Sequence, residues 1–348
     1  MSRFLDEIGE LPAALERLLS FYRTGGRDRL AAWVEATRGR DHILFSGMGT
    51  SGFAPLSIRH RLAAVGVALH AIDAGEWLHY PVVPPREANN VVLISQSGES
   101  VEVRRLVERE LPGPGYVAVT NDEFSTVARH AGLVLPLHAG DEAAISTKTY
   151  TNTLALLLLM AGALESDAEL DELFDLMGCV SGALLPENGD ALAELAEFLL
   201  PGDAIAFVGR GPAFVTARQS ALTFMEGARC LTSAFTGGDF RHGPFEAVGP
   251  DFRMVVFAPG GWTTTYSEAL AREAASLGAR VVLVTDHSLP EQDNLRVLRI
   301  ANIAGPDAES LFPLIASGVM PVLLYHLARA RGTEAGEFRY GGKITTRE

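Results

Sequence analysis

Short apolar runs alternate with longer stretches of helical periodicity along most of this chain. The alternation predicts parallel strands joined by helices, in sheets that are covered on both faces. The predicted strands of the first half are His42–Ser46, Val91–Ser95, Tyr116–Thr120 and Leu133–Leu137. Those of the second half are Ala204–Gly209, Met254–Ala258, Arg280–Thr285 and Leu295–Ile300.

Residues 4–35 show helical spacing alone, without interspersed strand-like runs. Apolar side chains share one face at the positions Leu11, Leu15, Leu18, Leu19 and Tyr22. This pattern predicts an N-terminal helix that packs by that face.

The two series of strands have the spacing of a repeat. Gly47 follows the first strand of one series, and Gly209 ends the first strand of the other, 162 residues later. Thr120 and Thr285 end later strands and lie 165 residues apart. We therefore predict an α/β fold of two tandem domains, each with a parallel sheet flanked by helices. The predicted boundaries are 1–35 for the N-terminal helix, 36–165 for the first domain, 166–195 for a helical linker, 196–331 for the second domain and 332–348 for a tail over the active site.

Composition narrows the possible partners. The chain has 348 residues, of which 47% are hydrophobic, enough for two sizeable cores. Its net charge of −14 argues against non-specific binding of nucleic acid or an anionic membrane. A phosphate can still be held locally, through backbone N–H groups and hydroxyls, so the charge does not exclude a phosphorylated ligand.

Cysteine content and hydropathy indicate the compartment. Cys179 and Cys230 lie in apolar stretches without metal-ligand spacing, which predicts two buried thiols in a reducing environment. The first residues contain no apolar signal core, and the longest apolar run, Leu154–Leu164, is shorter than the roughly 20 residues of a bilayer span. We expect a cytoplasmic protein without metal or cofactor.

The loop Ser95-Gln96-Ser97-Gly98-Glu99-Ser100 stands between a predicted strand and a predicted helix. Open α/β sheets bind ligands at the carboxyl ends of their strands, and helix N-termini favour anions. A simple turn with a helix cap would also explain a lone Ser-Gly pair. Three serines and a glutamine together favour a phosphate site.

Gly47-Met48-Gly49-Thr50-Ser51-Gly52 follows the first strand, in the same layer. The glycines permit close approach of the backbone to a ligand, and Ser51 can donate to an anion. The spacing also fits a dinucleotide fingerprint with Asp73 as its acidic residue, so a NAD-type site is an alternative for this segment. No lysine follows the glycines, which excludes a Walker loop.

Ala144–Lys148 precedes a strongly apolar helix, where Ser146 or Thr147 would serve as a helix cap. Capping and ligand contact can coexist, because both use the same end of a helix.

Several motifs, in this order, resemble those of the SIS (sugar isomerase) family, and in particular the isomerase half of glucosamine-6-phosphate synthases. The similarity extends over nearly the whole chain from about Asp41, and Ser100 stands where threonine is usual. The segments that carry it are Gly49–Ser51, Ile94–Ser100, Ser146–Lys148, Gly209–Gly211, Arg241–Pro244 and Gly342–Glu348.

The resemblance implies a role for individual residues. The phosphate would be held by Ser51, Ser95, Gln96, Ser97 and Ser100. Gly49, Thr50 and Ser146 would lie beside the sugar. Glu226 would be the general base that moves a proton between C1 and C2, His242 of a neighbouring subunit would open the ring, and Lys343 of the tail would reach over the sugar.

The residues themselves support these three roles unevenly. Glu226 is an acid in an otherwise apolar helical stretch, where burial would suit a general base, but the residues alone favour a helix-surface acid. His242 lies in a glycine-rich loop, where a functional histidine is more common than within a helix. His60, His79, His130 and His326 are interpreted as structural residues. Lys148 and Lys343 are the only lysines among 29 basic residues, and lysine can form an imine whereas arginine cannot.

Two departures from the synthase pattern affect the expected reaction. The sequence shows no glutaminase domain and no cysteine near residue 1, so synthesis from glutamine is not expected unless a partner supplies ammonia. Thr223 also stands one helical turn before Glu226, where the synthases have a second lysine. This difference weakens the case for ring opening or imine chemistry of the synthase type.

These observations predict an amino-sugar-6-phosphate isomerase or deaminase, acting through an enediol or enolamine with loss of ammonia or water. Two alternatives stay open: a deglycase for fructose-amine 6-phosphates, and a phosphosugar-sensing protein without catalysis. By resemblance the protein is a homodimer with composite active sites.

Overall fold

The computed structural model describes residues 2–80, 90–109, 115–186, 189–202, 204–302 and 308–345. The described strands are β1 His42–Gly47, β2 Ala68–Asp73, β3 Val91–Ile94, β4 Tyr116–Thr120, β5 Leu133–Pro136, β6 Ala204–Gly209, β7 Leu231–Thr236, β8 Arg253–Ala258, β9 Arg280–Thr285 and β10 Leu295–Arg299. The described α-helices are α1 Arg3–Gly9, α2 Leu11–Arg23, α3 Arg27–Thr37, α4 Thr50–Phe53, α5 Arg59–Ala64, α6 Ala74–His79, α7 Val101–Arg109, α8 Thr126–His130, α9 Lys148–Glu165, α10 Asp167–Ala183, α11 Gly189–Phe198, α12 Ala213–Ala228, α13 Gly237–Arg241, α14 Thr264–Ser276 and α15 Ala308–Ala330.

The strands form two parallel five-stranded sheets with the same topology. Their orders are β2-β1-β3-β4-β5 and, read from the corresponding edge, β7-β6-β8-β9-β10. This is a doubly wound arrangement, whose strand order reverses between the first and third strands of each sheet. The predicted α/β fold of two tandem domains is confirmed.

All eight predicted strands are present, with ends shifted by at most one residue. The prediction missed β2 and β7, which lie at an edge of each sheet. Each of these two strands has a single buried position among exposed and partly buried ones, whereas β3, β4 and β8 are buried throughout. These two strands therefore lack the continuous apolar run that made the central strands recognisable.

The N-terminal segment differs from its prediction, since three helices replace one. The chain breaks at Glu10 and again at Thr24–Gly26, where Gly26 packs so tightly that a Cβ would lie 2.5 Å from the Phe21 ring. The predicted apolar face is nevertheless buried at each of its five positions. Cys179 also corrects a prediction, because it lies exposed on α10, while Cys230 is buried.

The described residues divide into two compact units. The N-terminal unit comprises Pro12–Glu142, Lys148–Ser181 and Arg339–Glu348, and contains the first sheet. The C-terminal unit comprises Met1–Leu11, Ala143–Thr147 and Gly182–Phe338, and contains the second sheet. Each unit thus includes segments from distant parts of the sequence.

Helix α15 is long and apolar enough to cross a membrane. However, 83% of its most apolar stretch is buried inside the protein, which is typical of a core helix.

Candidate functional site

The loop after β3 has a backbone fixed by its own side chains. Ser95 Oγ accepts a hydrogen bond from the Gly98 amide at 3.1 Å, and Ser97 Oγ accepts one from the Glu99 amide at 3.2 Å. Gly98 has a φ of +62°, and a Cβ there would lie 2.1 Å from Ser125 Oγ. The turn therefore requires glycine at this position.

This loop leads directly into α7, so its polar side chains lie at a helix N-terminus. Gln96, Ser97 and Ser100 are partly exposed, whereas Ser95 is buried. Hydroxyl donors beside the positive end of a helix provide favourable surroundings for a phosphate.

Glu99 is the one acidic residue of the loop, and its carboxylate is engaged by α8. It accepts hydrogen bonds from the Thr126 amide at 2.5 Å and from Thr126 Oγ1 at 3.1 Å. These bonds stabilise the carboxylate charge at the start of another helix, and they give Glu99 a structural role.

The loop after β1 packs against the end of β3. A Cβ on Gly47 would lie 2.5 Å from the Ile94 carbonyl oxygen and 2.8 Å from Ser51 Cβ. Gly49 has a φ of +51°. The absence of side chains thus allows Ser51 to approach the carboxyl end of β3, where the Ser95–Ser100 loop begins.

The acidic residue of the dinucleotide alternative serves as a helix cap. Asp73 caps α6, where its Oδ1 accepts hydrogen bonds from the Gly75 amide at 2.9 Å and the Glu76 amide at 3.1 Å. This capping role accounts for Asp73 without a ribose ligand.

Lys343 belongs to the same unit as these loops, and its partner is a residue that the sequence reasoning missed. Its Nζ forms an ion pair with the carboxylate of Glu142, whose side chain is fully buried. Glu142 also accepts hydrogen bonds from the Thr149 amide at 3.1 Å and from Thr149 Oγ1 at 2.6 Å. Lys148 Nζ donates to the Asp141 carbonyl oxygen at 2.6 Å.

The described part of the tail contacts the start of α7. The Val101 amide donates a hydrogen bond to the Thr345 carbonyl oxygen at 3.2 Å. The tail thereby reaches the residue that follows the Ser95–Ser100 loop. The end of the predicted tail, residues 346–348, lies outside the described residues.

Glu226 and Ser146 lie in the C-terminal unit. Glu226 is half-buried on α12, and the next residue, Gly227, packs so closely that a Cβ would lie 3.1 Å from Ile145 Cδ1. Gln219 of the same helix donates from Nε2 to the Ser146 carbonyl oxygen at 3.5 Å. These contacts bring the helix of Glu226 against the segment that contains Ser146.

His242 follows α13 in the same unit and is exposed. Its amide donates to the Asp239 carbonyl oxygen at 3.1 Å, and Gly243 has a φ of +140°. Arg210 packs against the start of α13, because a Cβ on Gly237 would lie 2.5 Å from Arg210 Nε. The imidazole is thus presented on a well-fixed turn.

The predicted site residues therefore fall into two groups. The N-terminal unit brings together the loops after β1 and β3 with the tail, and the C-terminal unit holds Ser146 and the residues predicted to be the base and the ring-opening histidine. The N-terminal group is Gly49, Thr50, Ser51, Ser95, Gln96, Ser97, Ser100 and Lys343; the C-terminal group is Ser146, Glu226 and His242.

Comparison with known proteins identifies the family. The SIS domain pattern matches residues 38–163 and 199–331. The chain therefore belongs to the SIS domain family, as its motifs predicted.

Relatives and solved structures agree with this assignment. The chain is 29% identical over 365 residues to the glutamine–fructose-6-phosphate aminotransferase (isomerizing) of Streptococcus pyogenes serotype M1, covering 99% of this chain and 58% of the relative. The chain thus spans little more than half of that relative's length.

Two solved structures share the fold. The C-terminal domain of glucosamine-fructose-6-phosphate aminotransferase from Francisella tularensis has a TM-score of 0.83 at 21% identity, covering 96% of this chain and 97% of that one. A glucosamine-6-phosphate deaminase from Thermotoga maritima has a TM-score of 0.72 at 22% identity, covering 97% and 98%. At these identities the two structures show a shared fold.

Proposed function

We propose that this protein is an amino-sugar-6-phosphate isomerase or deaminase. The observation that carries the proposal is the loop Ser95–Ser100, a fixed turn rich in hydroxyls at the N-terminus of α7. The loop belongs to the unit that also holds Lys343. Its only carboxylate, on Glu99, is bound to Thr126, so the loop suits an anionic ligand.

The proposed reaction needs a phosphate anchor and a proton carrier. Contacts with the phosphate would supply the binding energy that positions the sugar. Little binding energy would then be needed from contacts at the reacting carbons. Glu226 would take the proton from C2 of the open-chain amino aldose, giving an enolamine. Return of the proton to C1 gives a ketose imine, which water hydrolyses to a ketose phosphate and ammonia. His242 would assist opening of the ring.

Thr223 supports removal of an amine rather than synthase-type chemistry. Its hydroxyl donates to the Gln219 carbonyl oxygen of its own helix at 2.9 Å, one turn from Glu226. The second lysine of the synthases is thus replaced by a neutral side chain. A substrate that carries its own amino group would supply the missing positive charge beside Glu226.

The same observation supports a deglycase as the second candidate. That enzyme would act on a fructose-amine 6-phosphate, and a free amine would leave in place of ammonia. Both candidates would use Glu226 as the proton carrier. They differ in the carbon that bears the nitrogen, which is C2 of an aldose for the deaminase and C1 of a ketose for the deglycase. In the deglycase the proton would therefore move from C1 to C2, and hydrolysis of the C1 imine would give glucose 6-phosphate and the free amine.

Turnover assays with purified protein distinguish these candidates. We expect glucosamine 6-phosphate to release ammonia and a ketose phosphate, whereas unphosphorylated glucosamine should be inert because it lacks the anchor. Release of an amino acid from a fructosyl-amino-acid 6-phosphate, without release of ammonia from glucosamine 6-phosphate, would favour the deglycase. Binding of amino-sugar phosphates without turnover of any would refute both and leave the sensing role.

We further propose that the active protein is a homodimer in which His242 acts on the partner's substrate. The support is the resemblance to the synthases, together with the prevalence of two-fold dimers. Mixing a Glu226→Gln chain with a His242→Ala chain tests it, since a mixed dimer would contain one intact site. No recovery of activity, despite verified subunit exchange, would show that His242 acts within its own chain.

A further inference from the structure

Glu142 is a buried carboxylate with a complete set of partners, although no motif marked it. Its side chain has 0% exposure, against 20% for Lys343. The Thr149 amide and hydroxyl donate to it, and the Lys343 ammonium neutralises its charge. A charge buried this deeply is stable only if it is both paired and hydrogen-bonded.

Thr149 fixes the position of this carboxylate. It lies in the first turn of α9, whose residues from Lys148 to Gly162 are all buried. Lys148 further restrains the segment before the helix, through its bond to the Asp141 carbonyl oxygen. Glu142 is thus attached to a rigid core element.

Residues 339–345, the described part of the tail that belongs to the N-terminal unit, have in contrast little apolar anchorage. Tyr340 is 90% exposed and Ile344 is 41% exposed, and Gly341 and Gly342 contribute no side chain. Its attachment therefore depends on polar contacts: the Glu142–Lys343 ion pair, and the bond from the Val101 amide to Thr345.

We propose that Glu142 is a positioning residue that fixes Lys343 and, with it, the tail beside the Ser95–Ser100 loop. The rigid carboxylate sets where the ammonium lies, and the Thr345 contact sets the direction of the chain after it. The anchoring follows from these contacts alone, while its effect on catalysis rests on the proposed function.

Limited trypsin cleavage tests the anchoring without any substrate. Trypsin cuts after Arg339, and cleavage of a transiently released tail follows the population of the released state. We expect Glu142→Gln to be cut about tenfold faster at this bond, a factor that corresponds to ~1.4 kcal/mol. Asp141→Asn is the matched control, because that neighbouring residue is exposed, and it should behave like the unaltered protein.

Two further variants protect the test against misfolding. Lys343→Met removes the cation of the ion pair and should release the tail as Glu142→Gln does. The double variant should be cut no faster than either single variant. Glu142→Asp should restore part of the protection. Unchanged cleavage in both a folded Glu142→Gln protein and Lys343→Met would overturn the proposal.

Kinetics separate this proposal from the proposed function. With glucosamine 6-phosphate, Glu142→Gln should lower kcat about tenfold or more and leave KM within about twofold, because the phosphate loop is intact. Glu142→Asp should recover part of kcat. Faster cleavage in a protein that turns over no amino-sugar phosphate would retain the anchoring and reject the proposed function. Faster cleavage with full kcat would reject the positioning role and retain that function.

Discussion

The two sheets have the same strand order, yet the ends of their corresponding strands carry different chemistry. After β3 stands the hydroxyl-rich Ser95–Ser100 loop, and after β8 stands the segment 259–263. Amides of the first loop are bonded to its own serines, whereas in the second loop the Gly260 amide donates to the carboxylate Oδ1 of Asp286 at 2.9 Å and the Gly261 amide donates to Thr264 Oγ1 at 2.8 Å.

A carboxylate lies at the reversal point of the second sheet. Glu309 accepts a hydrogen bond from the Trp262 amide, and burial raises the pKa of Glu309 in spite of that bond. A Cβ on Gly261 would lie 2.6 Å from Glu309 Oε2, and one on Gly211 would lie 3.4 Å from Oε1. The carboxylate is therefore enclosed by the loops after β6 and β8.

This comparison shows how one fold is used in two ways. Doubly wound sheets bind ligands in the crevice where the strand order reverses. The first crevice presents hydroxyls to a ligand, whereas the second contains an anion of the protein itself. We therefore expect a sugar phosphate to bind at the first crevice and not at the second.

The largest effect should come from the proton carrier of the C-terminal unit. Glu226→Gln should lower kcat for glucosamine 6-phosphate about 10²- to 10⁴-fold, because general acid–base catalysis contributes this much. Calorimetric binding of the substrate should change little, since the phosphate loop belongs to the other unit. An unchanged kcat would remove Glu226 from the proposed mechanism.

Ser97→Ala should act on binding. A hydrogen bond to a charged group contributes about 1.5–3 kcal/mol, so the affinity for the sugar phosphate should fall about ten- to a hundredfold. The control is Thr263→Ala in the corresponding loop of the second sheet, where the side chain makes no cap hydrogen bond. Equal losses in the two variants would contradict the division between the crevices.

Glu309→Gln should change stability with a defined pH dependence. Since the folded-state pKa is raised, the folded protein keeps a proton that the unfolded chain loses, so stability falls as pH rises through that range. The variant avoids this loss. Its Tm should exceed that of the unaltered protein by about 2 °C at pH 8, and the difference should vanish below about pH 4.

Substitution of His287 should give the smallest change in Tm, and this change should vary with pH in a range nearer neutrality. Burial lowers its pKa, but hydrogen bonds with Asp286 and Glu268 outweigh burial and raise the pKa overall. The stabilisation is therefore fully present below about pH 6.5 and is lost as pH rises through the raised pKa. His287→Gln should lower Tm by about 1 °C at pH 5.5 and by less at pH 8.5. The opposite trend would mean that burial dominates.

Sequence reasoning located what depends on local pattern. The central strands and the Ser95–Ser100 loop could be predicted, because burial on both faces and a run of hydroxyls are visible in consecutive residues. Glu142 could not, because its role depends on Lys343, 201 residues away. The position of Glu309 could not be predicted for the same reason, because the glycines that enclose its carboxylate follow β6 and β8.

Because residues 339–345 belong to the N-terminal unit, that unit is complete only after these residues have been synthesised. During synthesis the first sheet leaves the ribosome early, but its tail follows only after the whole of the second sheet. At about 5–20 residues per second, this interval is on the order of ten seconds. For that period the nascent N-terminal unit contains the Ser95–Ser100 loop but not Lys343. The Glu142 carboxylate is therefore without the ammonium that neutralises it. Lys343 can therefore pair with Glu142 only after the whole of the second sheet has been synthesised.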